Sequence, residues 1–414
     1  MGPDFESLAK LPRGFITSTR RLVGHVPTIA ICPVADGRMG AYEANQAPTW
    51  AMVQKVYDLI TQNVFLYDGM PVRVVVAPEI VYGARSAAAA QEFFTKQGIS
   101  AIIWVSRSWA YSDELMGACQ GIGSSELVQA AYGLNQTNRP GAVWLKAFCA
   151  AMDEKVRPIF SIYNPDLEDE NGPLTPYVAQ RLLMFARCAA VLAEMRGKNY
   201  LGIGGVSMGI IGSDVRRNTL LHYFGMGSVS VDMAEIRGRI DTGFYDSEEL
   251  EIAFEFFKSK FRFNPGPGKR PLPPDDLLRE CLKMALIVRD LMIGNPKLAA
   301  INGEKAQGHN AIVAGTQGQR AWTDFYPNFD LVEAILCSCF DWLGFRPPII
   351  VATENDSKNG IGMLVSWLLT GLPQLFADIR TTWTVKSVLD ATDIDISKIA
   401  PQGFIDKRNS GAGA

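Results

Sequence analysis

Two rhythms of apolar positions run along the chain. Short β-branched runs, VPTIAICPV (26–34), VRVVVAPEIV (72–81), SAIIWVS (100–106) and PIFSIYN (158–164), predict strands. Longer stretches between them, about residues 43–63, SAAAAQEFFTKQG (86–98) and AVWLKAFCAAMDEK (142–155), predict helices, the second stopped by Gly98. Strand–helix–strand alternation of this kind predicts an α/β architecture with parallel sheets. An acidic, Pro- and Gly-bearing loop (166–176) leads into a long helix (177–198), which is expected to connect two domains. Beyond it, YLGIGG (200–205), VSVDM (229–233) and AIVAG (311–315) predict a second set of strands with helices between. The Pro/Gly-rich stretch 261–276 reads as an excursion, and Asp275-Asp276 sit in an N-cap-like position before a helix over 277–294.

The densest chemistry lies in residues 346–384. PPIIVAT (347–353) predicts a buried strand ending at Glu354, and Asn355-Asp356-Ser357 offer turn and N-cap chemistry. GIGMLVSWLLT (360–370) predicts a helix stopped by Gly371, and QLFA (374–377) a second strand ending at Asp378. A strand–helix–strand crossover makes its strands parallel, with both carboxyl ends on one edge, where open α/β sheets place ligands. Neighbouring strands lie about 4.8 Å apart, so the two carboxylates would repel unless a cation lay between them. An all-oxygen pair favours a hard ion such as Mg²⁺ or Mn²⁺. The competing reading gives Glu354 a helix-dipole role and pairs Asp378 with Arg380.

Three further strand ends carry candidates. Gln317, Gln319 and Arg320 follow the strand AIVAG among glycines, and an amide suits the hydroxyls of a polyol. Trp109 follows SAIIWVS among polar residues, where its ring could cover the apolar face of a sugar or simply pack at a domain edge. Arg38 in PVADGRMG could reach a ligand or a neighbouring subunit, or be a solvated loop residue. The loop LGIGGVSMG (201–209) imitates a dinucleotide-binding turn, with Asp232 in the place of the ribose acid, but Ser207 stands where the third glycine is needed. His25, His222 and His309 are the three histidines and form no zinc-ligand pair.

Composition narrows the partners. Among 414 residues, 40 Lys and Arg face 43 Asp and Glu, a balance that supplies no electrostatic footprint for nucleic acid or an anionic membrane. No run approaches the roughly 18 apolar residues of a membrane span, and the first residues lack a signal-peptide layout. Seven scattered cysteines with no C-x-x-C pair read as core thiols in a reducing compartment. A cytoplasmic protein acting on a small molecule is the expectation.

PVADGRMG, NRPGAVWL, FSIYN, GGVSMGIIGS, VDMAEIRGRID, GTQGQRAWTD, FDWLGFRPPIIVATENDSKNG and LTGLPQLFADIRTTW are collinear from about residue 26 onward. In these stretches the chain resembles L-fucose isomerase, a family of metal-dependent aldose–ketose isomerases. The resemblance implies two successive Rossmann-like parallel-sheet domains, residues 1–190 and 191–370, followed by the start of a truncated third domain, 371–414. It implies Mn²⁺ as cofactor, with Glu354 and Asp378 as metal ligands and acid/base groups. It also implies Gln317, Trp109 and Arg38 as substrate contacts, the arginine reaching a neighbouring subunit's pocket. Conversion of L-fucose to L-fuculose follows, with D-arabinose to D-ribulose as a second reaction, in a homohexamer. The family's third metal ligand is a histidine of the C-terminal domain, and none of the three histidines here matches it by position. The alternative expectation is therefore a catalytically incomplete fragment or a non-catalytic sugar-binding relative. A nucleotide-dependent oxidoreductase built on the 201–209 loop is the third reading.

Overall fold

The computed structural model describes residues 22–24, 26–113, 115, 127–206, 209–262, 272–318 and 320–408, the side chains of Arg320 and Ala321 excepted. The described residues divide into two compact units, the first from Gly24 to Gly197 and the second from Lys198 to Arg408 together with 22–23.

The first unit is built on β1 (Thr28–Val34), β2 (Arg73–Val76), β3 (Ala101–Ser106), β4 (Val128–Gly133) and β5 (Phe160–Ile162), all parallel, in the order β2-β1-β3-β4-β5. Its helices are α1 (Ala41–Asn63), α2 (Ala84–Gln97), α3 (Gly141–Asp153) and α4 (Pro176–Met195). Alternate strand residues feed two cores. Ile29, Ile31, Ile103 and Val105 pack with Val56 and Ile60 of α1 and Leu182 and Ala186 of α4. Ala30, Cys32, Ile102 and Trp104 pack with Ala90 and Phe94 of α2 and Trp144 and Phe148 of α3. A sheet covered on both faces gives continuous apolar runs rather than alternation, which is why β1 and β3 are legible in the sequence. Gly98 caps α2 in the left-handed conformation (φ 61°), as expected of a residue without Cβ.

The second unit repeats the plan. Its strands are β6 (Asn199–Ile203), β7 (Gly227–Val231), β8 (Ala311–Thr316) and, after a small antiparallel hairpin of β9 (Phe340–Asp341) and β10 (Gly344–Phe345), β11 (Ile350–Ala352). The parallel sheet runs β11-β8-β6-β7. Helices α5 (Met233–Asp241), α6 (Ser247–Lys260), α7 (Pro274–Ile293), α8 (Asp330–Cys337) and α9 (Ser357–Thr370) accompany it. After α9 come β12 (Asp378–Trp383), α10 (Val385–Thr392) and β13 (Phe404–Arg408). In each unit the first strand of the sheet has the second on one side and the third on the other. That is the doubly wound order whose switch point opens a crevice between the first and third strands.

The structure corrects several expectations. QLFA is not a strand: 371–377 lack regular structure, β12 starts at Asp378 rather than ending there, and it pairs antiparallel with β13. Glu354 and Asp378 therefore do not end adjacent strands of one parallel sheet. Residues 177–198 are no free connector, because α4 buries Val178, Leu182 and Ala186 in the core of the first unit. Asp275 and Asp276 lie in the first turn of α7 behind the N-cap residue Pro273. β4 was not anticipated. Thiols of Cys32, Cys281 and Cys337 are buried, but Cys149 and Cys339 are only half-buried and Cys188 is exposed. Cys119, the 263–271 part of the Pro/Gly-rich excursion, Ser207, His25 and Gln319 lie outside the described residues. Among the described residues, no helix is long and apolar enough to cross a membrane.

Candidate active site

At the carboxyl edge of the first sheet, Arg38 follows β1 and Trp109 follows β3, the two strands flanking the switch point. Local sequence sets the first loop. Asp36 accepts from the Arg38 backbone N–H (3.0 Å), which folds the chain back, and from Arg38 Nε (3.0 Å) and Nη2 (2.5 Å). The Asp36 side chain is only 4% exposed while that of Arg38 is 66% exposed, so the carboxylate anchors a guanidinium that remains open to solvent. The Arg38 hydrogen bond holds the Asp36 carboxyl below its ordinary range. Trp109 is half-buried against the α2/α3 core, with Tyr111 beside Arg38. Thus one positive donor and one aromatic surface follow the two strands that flank the switch point. Behind it, buried Arg107 binds Glu170 and Asn45.

In the second unit, Gln317 follows β8 and sits at the β6/β8 switch point. Its backbone N–H donates to Ile203 O (2.8 Å), and its Oε1 accepts from Gly205 N (2.9 Å). A Cβ on Gly204, whose φ is 77°, would fall 2.5 Å from that oxygen. The chain's own amide therefore fills the turn that imitates a dinucleotide loop. Asp232 is likewise used, capping α5 through Ala234 N at 2.7 Å.

Glu354 follows β11, next to β8. It and Asn355 are consecutive non-glycine residues in the left-handed region, with φ of 58° and 57°. Such a backbone persists only where its surroundings over-determine it. Here the Asn355 amide does so: Tyr200 Oη donates to its Oδ1 (2.6 Å), and its Nδ2 donates to Gly204 O (3.2 Å). Room for that amide exists because residue 315 has no side chain. The turn leaves Glu354 half-buried at the sheet edge, while Thr353 and Asn355 on either side are buried. Asp356 occupies the N-cap position of α9 but does not cap it; its carboxylate accepts from Ser213 Oγ (2.5 Å) instead. Burial first, and then the charge of Asp378, raise the Asp356 pKa. Asp378 itself is 32% exposed in its side chain and lies 3.5 Å from Arg380.

Beneath this edge lies a residue that sequence reasoning missed. Glu333 of α8 is 4% exposed and pushed up to about 8, chiefly by burial, with the Glu354 charge among the smaller causes. It accepts from Thr316 Oγ1 (2.7 Å) and from Thr353 Oγ1. The signal was present. Phe329, Val332, Glu333 and Leu336 fall on one helical stripe, and only Glu333 is polar.

At this edge Glu354 and Asp356 follow β11 and Gln317 follows the neighbouring β8, while the charge of Asp378 acts on Asp356. Oxygen donors of this kind suit a hard divalent ion that retains water, for which one or two carboxylates suffice. No group of three His, Cys, Asp or Glu side chains that could close around a metal occurs among the described residues. A separate cavity of about 490 Å³, lined by Asp232, Glu235, Arg239, Lys305 and His309, shares no residue with this edge.

Two doubly wound domains, each with polar candidates at the switch point, define an α/β protein of the class that binds ligands at the carboxyl ends of its strands. Residues 26–197 match the first N-terminal domain of L-fucose isomerase and residues 198–371 the second. L-fucose isomerases of Escherichia coli, from strain 536, from strain K12 / DH10B and from O1:K1 / APEC, are each 42% identical over 397 residues. The matches cover 94% of this chain and 66% of the relatives' own length. The chain belongs to the L-fucose isomerase family.

Proposed function

We propose that the chain takes part in aldose–ketose isomerisation of L-fucose to L-fuculose, with Glu354 and Asp378 holding a divalent cation, Mn²⁺ by resemblance to the family. The observation that carries this reading is the strained turn after β11, which presents a half-buried carboxylate where open α/β sheets bind ligands. When bound, the ion would supply a Lewis acid for the oxygens at C1 and C2 of the sugar. Glu354 removes the proton from C2, the C2–H pair becomes the C1–C2 double bond and the C1 carbonyl pair passes to O1; the C2 hydroxyl gives its proton up to O1 and becomes the carbonyl as the same carboxyl returns its proton to C1. We give Glu354 this role because the strained turn presents it half-buried at the sheet edge, whereas the Asp378 carboxylate lies beside Arg380 at 3.5 Å. By resemblance to the family, Gln317 orients sugar hydroxyls, Trp109 covers an apolar face and Arg38 donates to an oxygen from a neighbouring subunit, a positional contribution. D-arabinose, which shares stereochemistry at the reacting carbons, is a second substrate on this reading. A cytoplasmic homohexamer is the assembly that the family resemblance supports.

The test is product formation. Purified protein with Mn²⁺ and L-fucose is expected to give L-fuculose, lost on chelation and in Glu354→Gln. Metal-independent turnover, or full activity in that variant, would overturn the reading. The absence of a three-ligand cluster among the described residues favours one competitor, a relative that binds sugar without turning it over. It is distinguished by calorimetric binding of L-fucose with no product.

A further inference from the structure

We infer that Glu333 is a positioning residue for the candidate site, a buried staple that sets the spacing of Gln317 and Glu354. The inference rests on the functional reading of those two residues. The geometry is specific. β8 and β11 are adjacent parallel strands, with Ala352 opposite Gly315. Thr316 and Thr353 come next on each strand, and both donate their hydroxyls to the Glu333 carboxyl. The residues immediately following are Gln317 and Glu354. One side chain of α8 therefore bridges the last fixed point before each candidate group. All three partners are buried, Thr316 and Thr353 at 0% and 2% exposure, so water cannot replace the missing bonds. On the Glu354 side, the staple and the Asn355 amide grip the turn from opposite flanks, which holds two left-handed residues in place.

Glutamine has the shape of this carboxyl, and its oxygen can accept from one threonine hydroxyl while its amide N–H donates to the other. The experiment compares wild type, Glu333→Gln and Glu333→Ala by hydrogen–deuterium exchange and by Mn²⁺ titration. Far-UV circular dichroism checks the fold. Glu333→Ala is expected to speed amide exchange in segments 316–318 and 352–357 specifically. Removing a partner of a ligand's support typically weakens metal binding ~10–100-fold, and that loss is expected in the same variant. Glu333→Gln is expected to retain wild-type exchange in both segments and most of the affinity. Exchange in Glu333→Ala that is unchanged in those segments would overturn the inference, as would equal losses in the Gln and Ala variants. Should Glu333→Ala fail to fold, Thr316→Val and Thr353→Val each remove one bond while keeping shape, and local loosening in either supports the staple while its absence in both refutes it. Failure of the wild type to bind Mn²⁺ would sink the functional reading alone, since the exchange comparison still decides the staple.

Discussion

Gly315→Ala puts the support of Glu354 under direct strain. The substitution adds one methyl near the carboxyl end of β8. A Cβ there would lie 2.2 Å from Tyr200 Oη, 2.4 Å from Asn355 Oδ1 and 2.9 Å from Asn355 Cα. Tyr200 and Asn355 are 4% and 8% exposed, so neither can swing into solvent. Overpacking a closed core costs about 1–3 kcal/mol. Displacing the Asn355 amide also strips the buried Tyr200 hydroxyl of its acceptor, a further ~1–3 kcal/mol. The sum is about 2–6 kcal/mol of stability in the second unit, read by urea denaturation. A loss below about 0.5 kcal/mol, the scale of an inert surface change, would refute the reasoning. The double variant with Tyr200→Phe sharpens the test. Removing Oη relieves the closest clash, so the two losses should fall short of additivity by about 1 kcal/mol or more. Strict additivity would show that the methyl is accommodated elsewhere.

Other predictions follow from the same geometry. Burial raises the Glu333 pKa from 4.5 to about 8 in the folded protein. Between those values the native state keeps a proton that the unfolded chain has released. The stabilisation is complete below the unfolded value and is lost as pH rises to the folded one, at about 1 kcal/mol per pH unit. Glu333→Gln removes this dependence, so its melting temperature relative to wild type should climb from pH 5 to pH 8; a constant offset would contradict the burial argument. Trp109→Ala is expected to weaken L-fucose binding roughly tenfold, about 1.4 kcal/mol, measured by calorimetry; unchanged affinity would reduce Trp109 to the packing role its contact with the first unit's core already gives it.

The parallel sheets were legible because strands buried on both faces leave unbroken apolar runs, as β1, β3 and β8 do. The antiparallel pair β12 and β13 was not, for the converse reason. Phe376 is buried and gave QLFA its strand-like look, whereas the ladder itself runs through 378–383, which is largely exposed and polar. Hydrophobic pattern reports burial, not hydrogen-bond pairing. The same distinction explains the site. Glu354 was found because a strand ends before it, but the means by which it is held, Asn355 in a left-handed turn and Glu333 under two threonines, depend on contacts across more than a hundred residues in one case and a helix packing choice in the other. Glu354 and Asp378 were reasoned together from a parallel pairing that does not exist. The charge of Asp378 is nonetheless felt at Asp356, two residues after Glu354.

The central claim, that Glu354 and Asp378 hold a divalent cation, is tested most directly by electron paramagnetic resonance titration of Mn²⁺ into wild type, Glu354→Gln and Asp378→Asn. The account predicts a single saturable site in the wild type, weakened at least tenfold in each variant, about 1.4 kcal/mol, with the fold intact. Binding of equal strength in all three, or none in the folded wild type, would contradict it.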